Sequence, residues 1–153
     1  HPVVCVSYND SLAYAQWLAK KIGLNVDLAT EAQWELAAKG TTQKKYPWGD
    51  DAPDGTKVNL CDKTYADALG TKQCQAQAAI ITISDGYAKT SPVGIYPAGA
   101  SEFGVLDMAG NVNQQVKDFF IEYTDTAKVD PFVRKEQAPE EIIDGKTVRN
   151  VVN

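Results

Sequence analysis

The segment Ser91–Phe120 most constrains the fold, because glycine and proline interrupt every run that would extend into a long helix or strand. The interrupting residues are Pro92, Gly94, Pro97, Gly99, Gly104 and Gly110. Glycine permits positive φ and close backbone approach, and proline fixes φ, so this composition predicts a shaped loop. The loop contains two aspartates, Asp107 and Asp118. We expect a cation, a disulfide or a packed aromatic side chain to hold it in place.

The composition is ordinary for a globular chain with an excess of acidic groups. Of 153 residues, 44% are hydrophobic and 23% are charged, which is enough for one domain with a core. The formal net charge of −5 argues against a nucleic acid or an anionic membrane as a partner. No apolar run approaches the roughly 20 residues of a membrane span. We therefore expect no nucleic-acid partner and no membrane span.

A first helix is predicted just after the start of the chain. Ser7, followed three residues later by Asp10, is typical of a capping box at a helix start. Gly23 is placed as the C-terminal stop. Between these signals runs one apolar stripe at helical spacing, made of Leu12, Ala15, Ala19 and Ile22.

Beyond Gly23 the sequence predicts one more helix and then irregular structure. Thr30 is predicted to cap the second helix, and Gln33, three residues later, completes a capping box with it. Gly40 is predicted to end the helix. The following residues, up to about residue 80, are rich in threonine, lysine, aspartate, glycine and proline without a sustained period. Within them, Trp48 in YPWGDD is interpreted as a core aromatic that closes a turn.

Short pieces with strand-favouring residues complete the pattern. They are Val3–Val6, Ala79–Ile83, Val93–Tyr96 and Val116–Tyr123. Helices that precede long loops with short strands indicate the α+β class.

Three cysteines are present, Cys5, Cys61 and Cys74. Cys61 and Cys74 flank a polar loop with almost no core of its own, which favours a disulfide over two free thiols. A metal site is disfavoured, because the spacing is wrong and no histidine is near. Cys5 is interpreted as a small buried hydrophobic residue among valines, or else as the partner of a cysteine beyond this chain.

Four pieces of sequence occur in an order that resembles a known family. They read TEAQWELAAKG, YPWGD, DGYAKTSPVG and FGVLDMAGNVNQQVKD. This order is similar to that of the formylglycine-generating, or sulfatase-modifying-factor, family, whose fold resembles a C-type lectin with little regular structure and bound metal. The resemblance runs from about Pro2 to Phe120. It implies a single, C-terminally incomplete domain over residues 1–153, α+β in class, with two N-terminal helices and short antiparallel strands.

A first candidate calcium site consists of Asn59, Leu60, Asp85 and Tyr87. Ca²⁺ binds about six to eight oxygens from carboxylates, amides and carbonyls. Taken alone, an Asp-Gly turn such as the one at Asp85 usually hydrogen-bonds its own backbone. The resemblance implies calcium, because the family's first site uses an asparagine, the next residue's carbonyl, an aspartate and the carbonyl two residues on.

A second candidate calcium site consists of Asp107, Gly110, Val112 and Gln114. These residues are closely spaced around a glycine turn, which lets carbonyls converge. The resemblance again implies calcium, but the family has a glutamate where this chain has Gln114. Loss of one negative ligand predicts a weaker second site.

The copper centre of the family has no counterpart within this sequence. The family's enzymes convert a sulfatase cysteine to formylglycine with copper held by two cysteines, which follow a motif similar to RxLRGGSW. The sequence stops at VRNVVN, and none of its three cysteines matches that pair. His1 is the only histidine, so a Ser/His/Asp triad lacks its base. We therefore expect no catalytic residues here, and copper only if the missing C-terminal part is supplied.

Two functions stay open at this point, with a third beside them. The first is a non-catalytic or catalytically incomplete module of an exported protein, structural or ligand-binding and stabilised by calcium. The alternative is the N-terminal part of a copper-dependent formylglycine-generating oxidase that acts on a sulfatase cysteine. In the third, the lectin-like fold serves as a binding surface that the protein displays. The expected location is secreted, periplasmic or cell-surface, because disulfides persist in oxidising compartments, and the expected partner is a protein or a peptide substrate.

Overall fold

The computed structural model describes residues 1–70 and 82–119, together with the backbone of two short strands. The α-helices within these residues are α1 (Tyr8–Ile22), α2 (Glu31–Lys39) and α3 (Lys63–Leu69). A 3-10 turn covers Pro97–Gly99. The strands β1 (Ile142–Ile143) and β2 (Lys146–Thr147) pair antiparallel. None of the described helices combines the length and the apolar character needed to cross a membrane.

Helix α1 begins and ends where the sequence predicts. The Ser7 backbone N–H donates to Asp10 Oδ2 over 2.8 Å, and the Asp10 N–H donates to Ser7 Oγ over 3.2 Å, which completes the capping box. Gly23 follows in the left-handed conformation with φ 70°, and its N–H donates to the Ala19 carbonyl. The predicted apolar stripe is correct at Ala15, which is buried, but wrong at Ile22, whose side chain is 47% exposed.

Helix α2 is also confirmed by its caps. The Thr30 N–H donates to Gln33 Oε1 over 2.9 Å, and the Gln33 N–H donates to Thr30 Oγ1 over 3.2 Å. Gly40 ends the helix with φ 69° and an N–H that donates to the Leu36 carbonyl. Helix α3 was not predicted, although Asp62 before it and Gly70 after it are ordinary capping residues.

The predicted strands are wrong where the structure describes them. Residues 3–6 form no strand, and Val3 and Val4 are exposed. Val93–Tyr96 forms a turn, because Gly94 has φ 72° and its N–H donates to Asp107 Oδ2 over 2.7 Å. Of the strands predicted at 79–83 and 116–123, residues 79–81 and 120–123 lie outside the described residues, and residues 82–83 and 116–119 form no strand. The α+β class therefore stays a prediction.

Two other predictions about single residues need correction. Cys5 is exposed, not buried, and has φ 60°. Trp48 closes its turn, since it stacks on Tyr46 at 5.1 Å and its Nε1 donates to the Asp51 carbonyl, but it is only half-buried. The predicted Cys61–Cys74 disulfide cannot be followed, because Cys74 lies outside the described residues.

The chain divides into two compact units. The first contains His1–Val4 and Glu35–Val112, and the second contains Cys5–Trp34 and the chain from Asn113 onward. The interior of the first unit includes the apolar side chains of Ala38, Val58, Tyr96 and Met108. It also includes buried polar side chains, namely Asn59, Asp62, Asp85, Ser91 and Ser101. In the second unit, Ala15, Val116 and the carboxylate of Asp118 are buried.

Candidate metal centre

Two residues of the first predicted set of calcium ligands, Leu60 and Tyr87, contact the carboxylate of a third, Asp85, within the first unit. The Leu60 N–H donates to Asp85 Oδ2 and the Tyr87 N–H donates to Asp85 Oδ1, each over 2.7 Å. Asn59 precedes Leu60, and its Nδ2 donates to the Lys89 carbonyl over 2.9 Å. Asn59 is 6% exposed and Asp85 is 8% exposed. The structure therefore gathers residues about 25 positions apart in the chain around one buried carboxylate.

Local sequence explains the shape of the backbone around Asp85. The bond from the Tyr87 N–H to the Asp85 side chain closes a turn in the manner expected of aspartate. Gly86 lies inside that turn with φ 89°, which glycine adopts without strain. Gly110 is needed for a different reason, because a Cβ there would lie 2.2 Å from the Asn59 carbonyl oxygen. These positions let the backbone of Asn59 and the turn at Asp85 pack closely.

Asp62 is the residue of this region that sequence reasoning missed. It is fully buried, at 0% exposure, and it caps α3 by accepting a hydrogen bond from the Tyr65 N–H over 3.1 Å. Its second oxygen, Oδ2, accepts from the N–H of Asp85 over 2.5 Å. The cap has a sequence signal, an aspartate just before a helix-forming run, but the contact with Asp85 has none.

The electrostatic surroundings of Asp85 disfavour its negative charge. Burial raises the pKa of the Asp85 carboxyl, and the charge of Asp62 acts in the same direction. The hydrogen bonds from the Leu60 and Tyr87 N–H groups lower the pKa and oppose that shift in part. Among the described residues, the ion pairs involve neither Asp62 nor Asp85. A cation near Asp85 would relieve this excess of buried negative charge.

The donor types at the first set fit calcium. The set offers a carboxylate from Asp85, an amide oxygen from Asn59, and the carbonyls of Leu60 and Tyr87, all of them oxygen ligands. A carboxylate oxygen that accepts one N–H keeps a further acceptor site. The described part of the chain holds no cluster of three or more histidine, cysteine, aspartate or glutamate side chains suited to a metal. Calcium here would therefore depend on amide and carbonyl oxygens as well as on Asp85.

The residues of the second predicted set are already engaged in hydrogen bonds. Asp107 Oδ2 accepts from the Gly94 N–H, and the Gly110 carbonyl accepts from the Val112 N–H over 2.8 Å. These residues belong to the first unit. Gln114 belongs to the second unit, where its Oε1 accepts from Trp34 Nε1 over 2.8 Å. The proposal below rests on the first set alone.

Comparisons with known proteins agree with the order of the sequence motifs. A formylglycine-generating enzyme of Mycobacterium tuberculosis is 41% identical over 112 residues, which are 73% of this chain and 31% of that protein. An inactive C-alpha-formylglycine-generating enzyme 2 of Bos taurus is 34% identical and covers 72% of this chain and 31% of that protein. The solved structure of PvdO from Pseudomonas aeruginosa matches with a TM-score of 0.58 and 34% identity, over 79% of this chain and 40% of that chain. The formylglycine-generating-enzyme-like fold is thereby supported.

The extent of the likeness differs from the prediction. A family model described as the sulfatase-modifying factor enzyme 1-like domain matches residues 1–152, whereas the motifs alone predicted a likeness that ends at Phe120. The chain spans about a third of the length of the curated relatives it matches. Because the family model covers nearly every residue, the chain belongs to the sulfatase-modifying factor enzyme 1-like domain family.

Proposed function

We propose that these residues form a calcium-stabilised module of an exported protein, with a structural or ligand-binding role and without a copper centre of their own. The observation that supports the proposal is the buried Asp85 carboxylate, which accepts hydrogen bonds from Leu60 and Tyr87 in a unit whose interior includes several polar side chains. The role assigned to calcium is to balance that carboxylate and to gather the nearby oxygens.

The energetic case for calcium follows from burial. An unpaired buried polar group costs about 1–3 kcal/mol, and a buried carboxylate without a cationic partner costs more. Asn59 and Asp85 are both buried, and Asp85 takes part in none of the described ion pairs. A cation bound only by the folded state adds stability in proportion to the logarithm of its concentration over its dissociation constant. Calcium should thus act as a fold-stabilising ligand.

The cysteines support a non-catalytic role for this stretch. Copper(I) prefers soft thiolate ligands, so a copper centre needs a suitable cysteine pair. Cys61 and Cys74 are predicted to pair with each other, which leaves Cys5, exposed before α1, as the remaining thiol. We expect mass spectrometry of unreduced peptides to find Cys61 linked to Cys74. Two free thiols in protein isolated without reductant would contradict both the disulfide and the proposed export.

A second function is favoured by one specific finding, the likeness to the mycobacterial formylglycine-generating enzyme. In this alternative the residues form the N-terminal part of a copper-dependent oxidase whose thiolate pair is supplied by further sequence. A cysteine pair that follows an RGGS-like motif in such further sequence would favour the oxidase over the non-catalytic module. Stoichiometric copper binding by these 153 residues that survives replacement of Cys5, Cys61 and Cys74 by serine would contradict both.

Calorimetric titration with calcium tests the proposal directly. The chain should bind calcium, and Asp85→Ala should abolish that binding. Asp54→Ala is the matched control, because Asp54 is a carboxylate of the same unit with a half-exposed side chain. Equal binding by the Asp85→Ala variant and the unaltered chain would refute the site.

A further inference from the structure

We infer that Asp62 is a positioning residue for the proposed calcium site, acting through the backbone of Asp85. The inference rests on the proposed function, because it needs Asp85 to be a calcium ligand. Asp62 itself contributes no oxygen to the proposed ligand set. It holds the turn that contains Asp85 against the start of α3.

The two carboxylate oxygens of Asp62 have separate tasks. Oδ1 accepts from the Tyr65 N–H over 3.1 Å and so caps α3. Oδ2 accepts from the Asp85 N–H over 2.5 Å, across 23 positions of sequence. The side chain is 0% exposed, so water does not compete for either bond. One carboxylate thereby joins the first turn of α3 to the residue that carries the central ligand.

Neighbouring bonds make the same connection through the two residues that follow Asp62 and the two that precede Asp85. The Lys63 N–H donates to the Ile83 carbonyl over 3.0 Å, and the hydroxyl groups of Thr64 and Ser84 lie 2.7 Å apart. The beginning of α3 and residues 83–85 are therefore fixed to each other at three successive points. Among these, the Asp62 bond is the one that reaches Asp85 itself.

A capping role alone does not account for Asp62. Serine, threonine, asparagine and aspartate all cap helices well, and the cap needs a single acceptor oxygen. Here the second oxygen is also buried and also bonded, and it reaches the backbone of Asp85. Replacing a residue that hydrogen-bonds a metal ligand and orients it commonly lowers the metal affinity by about 10- to 100-fold.

The decisive variant is Asp62→Ser, which keeps a capping oxygen for the Tyr65 N–H but has no second oxygen for the Asp85 N–H. Its dissociation constant for Ca²⁺, measured by calorimetry and by luminescence of Tb³⁺ as a calcium substitute, should rise about 10- to 100-fold. The calcium-free protein should melt somewhat below the unaltered chain, because the cap survives but the buried Asp85 N–H loses its acceptor. The matched control is Asp67→Ser on the same helix, where the replaced side chain is 64% exposed. It should leave the calcium affinity unchanged.

Two further measurements keep the inference falsifiable. Asp62→Asn, which preserves side-chain size, should also weaken calcium binding, because its single acceptor oxygen cannot serve both the Tyr65 and the Asp85 N–H groups and its NH₂ group then faces one of them. In chelator, the amide of Asp85 should exchange slowly with solvent in the unaltered chain and faster in Asp62→Ser. The exchange measurement needs no metal, so it reports on the Asp62 bond independently of calcium.

The outcomes separate the inference from the proposed function. Unchanged calcium affinity in Asp62→Ser, or fast exchange of the Asp85 amide in the unaltered chain, would overturn the positioning role while the calcium site stands. An unaltered chain that binds no Ca²⁺ or Tb³⁺ would overturn the proposed function, and the inference with it.

Discussion

The starts of α1 and α2 and the loops around Asp85 are held together in opposite ways. At the helix starts, two residues three positions apart each donate a backbone N–H to the side-chain oxygen of the other, as Ser7 and Asp10 do. Around Asp85, the bonded groups lie 23 and 25 positions apart, and the carboxylates are buried. The first arrangement is local and exposed, whereas the second depends on the chain already being folded.

This difference between local and long-range bonds indicates which bonds contribute most to the stability of the chain. An exposed local bond exchanges water for a partner and contributes about 1 kcal/mol. A buried bond between distant segments carries the added cost of leaving its groups unpaired when it is broken. Substitutions near Asp85 should therefore have larger effects than substitutions at the helix starts, and the following predictions test that order.

The largest effect is expected for Gly110→Ala. A Cβ at this position would lie 2.2 Å from the Asn59 carbonyl oxygen, and φ at Gly110 is 68°. The added atom must displace backbone of the buried loop, so we expect a loss of about 3–5 kcal/mol in the free energy of unfolding. Chemical denaturation measures it.

Gly23→Ala is the matched control for that substitution. Gly23 has nearly the same φ, 70°, but nothing lies within 4 Å of a Cβ there. Its cost should be the conformational penalty alone, about 1–2 kcal/mol. Equal losses at Gly23 and Gly110 would show that the close approach to Asn59 contributes nothing.

An intermediate effect is expected at the cap of α1. Ser7→Ala removes the acceptor for the Asp10 N–H and should cost about 1 kcal/mol. Gln16→Ala, at an exposed position of the same helix, is the control and should change stability little. Thermal unfolding of the three proteins makes the comparison. A Ser7→Ala loss as large as that of Gly110→Ala would remove the distinction between the two regions.

The same distinction explains what the sequence could predict. Ser7 with Asp10, and Thr30 with Gln33, are signals contained within four residues, and both helices form as expected. The proposed ligand set at Asp85 rests on the resemblance to the family, since no local rule links Asn59 to a turn 26 residues later.

The errors also have physical causes in particular residues. Val93–Tyr96 has strand-favouring side chains, but Gly94 and the Asp107 carboxylate bend it into a turn. The role of Asp62 was out of reach, because its partner Asp85 is brought near only by folding. Long-range contacts among buried polar groups are therefore the part of this structure that local patterns do not encode.

The smallest effect on the free energy of unfolding is expected at an exposed ion pair between residues that are distant in sequence. Lys117 Nζ lies 2.5 Å from Asp27 Oδ2, and the two side chains are 35% and 44% exposed. The hydrogen bond from Lys117 lowers the pKa of Asp27 below its ordinary value. Asp27→Asn should cost less than about 1 kcal/mol at neutral pH, because solvent and salt screen the pair.

The pH dependence of that small effect has a definite sign. A lowered pKa in the folded state stabilises the fold above the ordinary aspartate pKa, and the gain is lost as pH falls through the lowered value. The difference between the unaltered chain and Asp27→Asn should therefore be present near pH 6 and vanish in strong acid. A difference that grows as the pH falls would contradict the assignment. Urea unfolding at several pH values measures it.

Calcium-dependent melting of the unaltered chain and of Asp85→Ala tests the central claim most directly. At a calcium concentration about a hundredfold above the dissociation constant, the folded state should gain about 2.7 kcal/mol, seen as a higher melting temperature than in chelator. Asp85→Ala should lose most of that gain, while Asp54→Ala should keep it. A melting temperature that is the same with calcium and in chelator would mean that the turn at Asp85 is held by hydrogen bonds alone. The same conclusion would follow if calcium raised the melting temperature of Asp85→Ala as much as that of the unaltered chain.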